Sequence, residues 1–179
     1  MSREQTFRAG DDSFRELIDM APVFIWNADP DGRCLYCNQA RLEFTGRTME
    51  QERGDGWYER VHPDDLENRF TVYKSAAAAR REFRTEYRLR RHDGEYRWLL
   101  AHGIPRVGKN DELLGYLGYC VDISDRKQAE EALRASEERH RLLFERNLGG
   151  VFYSTPQGTD LDCNEAFVRM FGYDSKEEL

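Results

Sequence analysis

The sequence predicts an α+β domain built on one antiparallel sheet of five strands, followed by a helix and the front part of a second copy of the domain. Three observations predict this. Phe83, Thr85, Tyr87 and Leu89 alternate with Arg84, Glu86, Arg88 and Arg90, the period of two of a half-buried strand. Sliding the chain along itself by 126 residues, without a gap, superposes Arg15, Leu17, Pro30, Gly32, Leu35, Cys37, Asn38, Ala40 and Gly46 on Arg141, Leu143, Pro156, Gly158, Leu161, Cys163, Asn164, Ala166 and Gly172. A repeat of that length marks a tandem of whole domains and not a solenoid. Between the copies, Ala129, Leu133, Ser136, His140 and Leu143 follow a 4-3-4-3 spacing, a heptad seam flanked by charged residues.

Each element follows from local chemistry. Ser13-Phe14-Arg15-Glu16 reads as a capping box at the start of a short helix. Val23 to Asn27 is β-branched and aromatic, Asp29-Pro30-Asp31-Gly32 supplies a turn, and Arg33 to Cys37 forms the second strand of a hairpin. In the second copy Leu35 and Cys37 stay apolar as Leu161 and Cys163, whereas Cys34 and Tyr36 become Asp160 and Asp162. Leu35 and Cys37 are therefore expected to point inward. Asn38 and Asn164 stand where an N-cap is needed.

A longer helix begins at His62-Pro63-Asp64-Asp65, with proline and acids suited to its first turn, and Ala76 to Ala79 closes it. Asp93-Gly94 turns the strand of Phe83 to Leu89 into one containing Tyr96, Trp98 and Leu100, and a last strand spans Gly115 to Ile123. The resulting organisation is a tail at 1–12, a first domain at 13–124, a helical linker at 125–146 and the start of a second domain at 147–179. Val151, Phe152, Leu161, Phe167, Met170 and Phe171 of that second segment lack the strands that cover their counterparts, and are expected to seek a partner or to be poorly ordered.

Of the 179 residues, 39% are hydrophobic and 34% charged, a balance that supports a real core on a water-soluble chain. The net charge of −7 argues against a nucleic-acid partner, and the arginines from Arg80 to Arg91 alternate with apolar residues as a solvated strand face would. With neither a run of about 18 apolar residues nor a basic and apolar N-terminal leader, the expected location is cytoplasmic, without membrane contact.

Four cysteines, Cys34, Cys37, Cys120 and Cys163, are too scattered for a disulfide framework. Cys34-Leu35-Tyr36-Cys37 has the spacing of a zinc half-site or a redox pair. The pair sits in an expected strand, where positions i and i+3 face opposite sides, and no second pair of Cys or His lies at zinc spacing, so the spacing reads as coincidence. His140 falls in the heptad seam and lacks the acid and proline that usually follow a phosphoacceptor histidine. A nucleophile elbow, a P-loop and a metal-ligand run are also missing, so the chain is not expected to be an enzyme.

Gly32 with Asn38 and Ala40, Trp57 through Val61-His62-Pro63-Asp64-Asp65, Asp93-Gly94-Glu95-Tyr96-Arg97-Trp98, and Asp122-Ile123-Ser124 with Arg126-Lys127 together resemble the PAS domains of bacterial signalling proteins that carry a C-terminal PAC motif. The last element is similar to the family's Asp-Ile-Thr, with Ser124 in the place of threonine. The resemblance implies a five-stranded antiparallel sheet with helices over one face, a core able to take a small ligand, and a modular role ahead of a histidine kinase or diguanylate cyclase.

Trp26, Leu35, Cys37, Asn38, Trp57 and Tyr87 are the candidate pocket residues. Asp122, Ser124 and Arg126 are the candidates for relaying a signal into the helix, with Asp122 paired to a nearby arginine. The cofactor is unknown. Haem and flavin are disfavoured, because no histidine lies between Leu66 and Ala79 and no Asn-Cys-Arg tripeptide occurs. The expected partners are a second copy of the chain, paired through the linker helix, and a small molecule; a ligand-free spacer and a redox protein using Cys34 and Cys37 are the alternatives.

Overall fold

The computed structural model describes residues 16–156 and 160–178, so the Ser13 end of the expected capping box lies outside the described residues. Strand β1 (Phe24–Ala28) turns into β2 (Cys34–Cys37) through Asp29, whose Oδ1 accepts from the amides of Asp31 at 3.0 Å and Arg33 at 2.9 Å. Two short helices, α1 (Gln39–Thr45) and α2 (Met49–Glu52), and a 3₁₀ turn (Gly56–Arg60) lead into α3 (Pro63–Ala79). That helix starts with Pro63, Asp64 and Asp65 in its first turn and stops where Arg80 adopts a left-handed φ of 47°.

Strands β3 (Phe83–Arg90), β4 (Tyr96–Val107) and β5 (Leu113–Asp122) complete an antiparallel sheet in the order β2-β1-β5-β4-β3. The last strand in sequence is therefore the middle strand in space. Its inner face buries Trp26, Phe83, Tyr87, Leu89, Leu99, Ala101, Tyr116 and Cys120, and Tyr73 and Ala76 of α3 join the same core. Its outer face leaves Ile104, Leu117, Tyr119 and Val121 exposed.

Leu35 corrects the expected strand faces. It is 44% exposed, while Cys34 and Cys37 are both buried. The cause is a β-bulge: Asn27 pairs with Tyr36 and Ala28 with Cys34, which leaves Leu35 as the extra residue. Alternation is broken there, so residues three apart return to the same side, and the argument that separated Cys34 from Cys37 does not hold.

The chain divides into two units, the first ending at Asp125 and the second starting at Arg126. Helix α4 (Ser124–Glu145) begins in the first, and the seam residues Ala129, Leu133, Ser136, His140 and Leu143 are exposed along it. In the second unit β6 (Phe152–Ser154) pairs with β7 (Asp160–Cys163), and α5 (Glu165–Met170) follows. Phe152 pairs with Cys163, Tyr153 with Asp162 and Ser154 with Asp160, the same register shift as in the first hairpin. Val168 and Cys163 are buried, whereas Phe152, Met170 and Phe171 are exposed.

The repeat extends to hydrogen bonds. Asn38 Oδ1 accepts from the amides of Ile25 (3.0 Å) and Arg41 (3.4 Å), and its Nδ2 donates to the carbonyls of Ile18 (3.0 Å) and Val23 (2.9 Å). Asn164 Oδ1 accepts from Val151 (2.9 Å) and Phe167 (2.9 Å), and its Nδ2 donates to Phe144 (2.9 Å) and Gly149 (3.0 Å). Every partner is displaced by the same 126 residues that align the sequence.

Candidate functional site

One rank of residues crosses the sheet from β1 to β3: Trp26 pairs with Gly118, Gly118 with Gly103, and Gly103 with Phe83. The two central glycines leave room for the flanking rings. A Cβ on Gly118 would lie 2.4 Å from the Trp26 ring and 2.3 Å from the His102 carbonyl, and one on Gly103 would lie 2.4 Å from the Phe83 ring. The aromatic floor of the core thus depends on glycine at both positions.

Beside this floor a cavity of about 30 Å³ is lined by Trp26, Asn27, Gly32, Cys34, Arg41 and Trp57. The Trp57 indole is held by a 3.2 Å hydrogen bond from its Nε1 to the Gly32 carbonyl. Charge enters the interior from two helices. Arg41 of α1 donates from Nε to Glu52 Oε2 at 3.2 Å, and Arg47 Nε lies 3.1 Å from the other carboxylate oxygen; Glu52 is fully buried. Arg69 of α3 is 5% exposed, and its guanidinium carbon lies 5.8 Å from the Trp26 ring centre, 5.3 Å from Trp57, 5.2 Å from Phe83 and 5.2 Å from Tyr87.

Of the pocket residues expected from the sequence, Trp26 and Trp57 line the cavity. Tyr87 is buried in the core and is not among the residues that line it; its hydroxyl lies 3.5 Å from Cys120 Sγ, and burial pushes that hydroxyl well above the ordinary tyrosine range. Cys37 is buried against Met49 Sδ at 3.8 Å, and its contact with Cys34 together with burial pushes its thiol up. Asn38 serves the backbone network of the hairpin, and Leu35 faces outward because of the bulge.

Arg41, Glu52 and Arg69 were missed, although a signal for them exists. Arg69, Tyr73 and Ala76 are the buried residues of α3, at spacings of four and three, and Arg41 and Thr45 are those of α1. An arginine on the inward stripe of a helix is the visible anomaly.

The junction between sheet and helix is built from Asp122 and Ser124. Asp122 Oδ1 accepts from the Ser124 amide at 2.8 Å, and Oδ2 accepts from Arg97 Nε at 3.0 Å. Arg97 also donates from Nη2 to Asp125 at 3.1 Å. Ser124 Oγ accepts from the Trp98 amide at 2.8 Å, and the Ile123 amide donates to the Trp98 carbonyl at 2.8 Å. Partial burial would raise the Asp122 carboxyl, but the hydrogen bonds from Ser124 and Arg97 outweigh it and hold the group below its ordinary range. The arginine paired with Asp122 is therefore Arg97, while Arg126 donates to Glu130 along its own helix at 2.7 Å.

Among the described residues, no helix is long and apolar enough to cross a membrane and no three His, Cys, Asp or Glu side chains converge as a metal site. A family model described as PAS fold matches residues 34–120, and another described as PAS domain matches 138–179. The chain is 38% identical over 139 residues to an uncharacterized protein, y4lL, of Sinorhizobium fredii, covering 77% of this chain and 17% of that protein. It is 29% identical over 170 residues to the peroxide stress-activated histidine kinase mak1 of Schizosaccharomyces pombe, covering 91% of this chain and 10% of the kinase. This chain thus spans a small part of the curated relatives it matches. A solved structure of a sensory box histidine kinase/response regulator from Burkholderia thailandensis superposes with a TM-score of 0.56 at 29% identity, covering 72% of this chain and 97% of that one. With two family models matching in tandem and the five-stranded sheet in place, the chain belongs to the PAS domain family.

Proposed function

We propose that this chain is the sensory and dimerising module of a bacterial signal-transduction protein, passing a ligand state from its core through α4 to a histidine kinase or diguanylate cyclase. The observation that carries the reading is the Arg97–Asp122–Ser124–Trp98 junction, which fastens the first turn of α4 to the two adjacent strands β4 and β5. A change in core packing that shifts either strand must move those hydrogen bonds. A ligand biases the helix by its differential affinity for two arrangements, and about 1.4 kcal/mol of difference gives a tenfold bias.

The chain acts in this reading without catalysis. Haem and flavin are disfavoured as the ligand, because α3 offers no histidine from Leu66 to Ala79 and no Asn-Cys-Arg tripeptide occurs. Self-association is supported by the exposed seam of α4 and by Ile104, Leu117, Tyr119 and Val121 on the outer face of the sheet. Native mass spectrometry of freshly purified chain tests the reading. A dimer carrying a stoichiometric small molecule is the expected species, and a bare monomer at every concentration would remove it.

A second reading, a thiol redox protein, is favoured by one observation: the bulge at Leu35 turns Cys34 and Cys37 to the same side of the sheet. Reduction-potential measurement separates the two, since a redox protein needs a pair that oxidises reversibly.

A further inference from the structure

Cys34 lines the cavity beside the aromatic floor together with Arg41. Cys37 faces the same side of the strand and touches Cys34, because the bulge at Leu35 cancels the alternation that would part them. Cys37 Sγ rests 3.8 Å from Met49 Sδ, and its amide donates to that sulfur at 3.4 Å. The two thiols are unequal. Their contact lowers the Cys34 thiol and raises that of Cys37; Arg41 also lowers Cys34, against burial and Glu52. Arg41 is itself buried, with Nε held by Glu52 Oε2 at 3.2 Å, so its charge is fixed at the cavity wall.

The cavity selects by size. At about 10–15 Å³ per water-sized sphere, its volume of about 30 Å³ holds roughly two or three such spheres. A molecule that enters has about two heavy atoms, is polar enough to meet Arg41 and Asn27, and reaches a thiol. Hydrogen peroxide meets all of these conditions, whereas a hydroperoxide with a bulky organic group fails the first.

We infer that Cys34 is an oxidation site for hydrogen peroxide, which enters the cavity beside Arg41, and that Cys37 resolves the product as a disulfide. The inference rests on the thiol redox reading above and names its oxidant and the role of each sulfur. The Cys34 thiolate attacks one peroxide oxygen, the O–O bond breaks, and the other oxygen leaves as hydroxide beside Arg41, taking up the proton shed by Cys34 to become water. Cys34 is then a sulfenic acid. The Cys37 sulfur attacks it, the S–O bond breaks, and the Cys37 proton leaves with the hydroxyl as a second water. The pair of thiols is oxidised by two electrons, and the peroxide is reduced to two waters.

α-Carbons three apart in an extended strand are separated by about 10 Å, whereas a disulfide holds them at about 5.5–6 Å. The bond therefore closes only as β2 contracts at its bulge. Strand β2 is paired to β1, and β1 to β5, so a single strand separates the contraction from the one that leads into α4.

The test treats the reduced whole chain with hydrogen peroxide or cumene hydroperoxide, blocks the remaining thiols in denaturant and maps the products by peptide mass. Hydrogen peroxide is expected to give a disulfide between Cys34 and Cys37 while Cys120 and Cys163 stay free. Cumene hydroperoxide should act at least about tenfold more slowly, each rate being taken relative to that on the unfolded chain. Cys37→Ala should stop at a sulfenic acid on Cys34 that dimedone traps, and Cys34→Ala should leave Cys37 reduced. If a variant does not fold, the comparison of the two hydroperoxides on the wild type carries the test.

Free thiols at both positions after peroxide, equal oxidation of all four cysteines, or equal relative rates for the two hydroperoxides would overturn the inference. Equilibration in glutathione buffers then separates the two levels. A disulfide between Cys34 and Cys37 that forms reversibly there would leave the redox reading standing without peroxide as its oxidant, whereas thiols that stay reduced in those buffers as well would end both.

Discussion

Gly103 and Gly118 face each other across β4 and β5, and each has a ring from the flanking strand lying over it, Phe83 on one side and Trp26 on the other. A methyl group at 118 would meet both the Trp26 ring and the His102 carbonyl, and backbone cannot swing aside as a flexible side chain can. Gly118→Ala is therefore expected to destabilise the first domain by about 1–3 kcal/mol. Urea unfolding monitored by tryptophan fluorescence checks it, and an unchanged midpoint would mean that the floor is looser than described.

Asp122 predicts a local effect. Asp122→Ala removes the acceptor for both the Ser124 amide and Arg97, yet leaves the Trp98 to Ser124 bond in place. Hydrogen exchange should rise in the first turn of α4, at 124–127, with global stability lowered by no more than about 1–2 kcal/mol. Unchanged exchange in that turn would show that Arg97 and Asp122 do not hold the helix start.

Acid should weaken the domain through Asp65. Its carboxylate accepts from the Arg88 amide at 2.7 Å, from Nε at 2.9 Å and from Nη2 at 2.7 Å, and those bonds hold it below its ordinary range against the opposing effect of burial. Because the folded value lies below the unfolded one, near 3.9, the contribution is complete above that pH and is lost as pH falls through the folded value. Asp65→Asn should cost about 1.5–3 kcal/mol at neutral pH and flatten the decline in stability below pH ~4. Equal slopes for the variant and the wild type would assign acid sensitivity to other groups.

Asn38 should tolerate no replacement. Four buried or half-buried backbone groups depend on its side chain, and its own burial is complete. Asn38→Ala is expected to cost at least about 2 kcal/mol, from unsatisfied backbone groups. Asn38→Asp should be comparably harmful, since it replaces two donated hydrogen bonds by a buried charge. Chemical denaturation of both variants reads this directly.

The thiols provide a separate check. Cys34, Cys37, Cys120 and Cys163 are all buried; the contact with Cys34, and then burial, push the Cys37 thiol up, while the same contact lowers Cys34. All four should react slowly with an aromatic disulfide reagent in the native state and fully in denaturant. Rapid native reaction at Cys34 or Cys37 would favour the redox reading.

What the sequence conveyed, and what it hid, follow from the same rules. The period of two from Phe83 to Arg90 stands because β3 is regular along its length. The Leu35 face was unreadable because alternation assumes an unbroken pleat, and the second copy repeats the bulge at Leu161 and so could not expose it. Trp26 and Trp57 were legible as large aromatics near one cavity, whereas Arg69 and Arg41 were passed over because charge ordinarily marks the solvent side of a helix. The partner of Asp122 could not be named from sequence, since it required knowing that Arg97 on β4 lies beside the end of β5.

The central place of β5 has a consequence for how the chain acquires its structure. Each earlier hairpin, β1 with β2 and β3 with β4, can form from local contacts as it is synthesised, but the two halves share no strand pairing until residues 113–122 emerge. Assembly must therefore wait for the end of the domain, and the slow step is the entry of one long segment between two waiting edges. A nascent chain halted before Leu113 would hold two unpaired strand edges open to any neighbour, and that interval is when the molecule is most prone to aggregate.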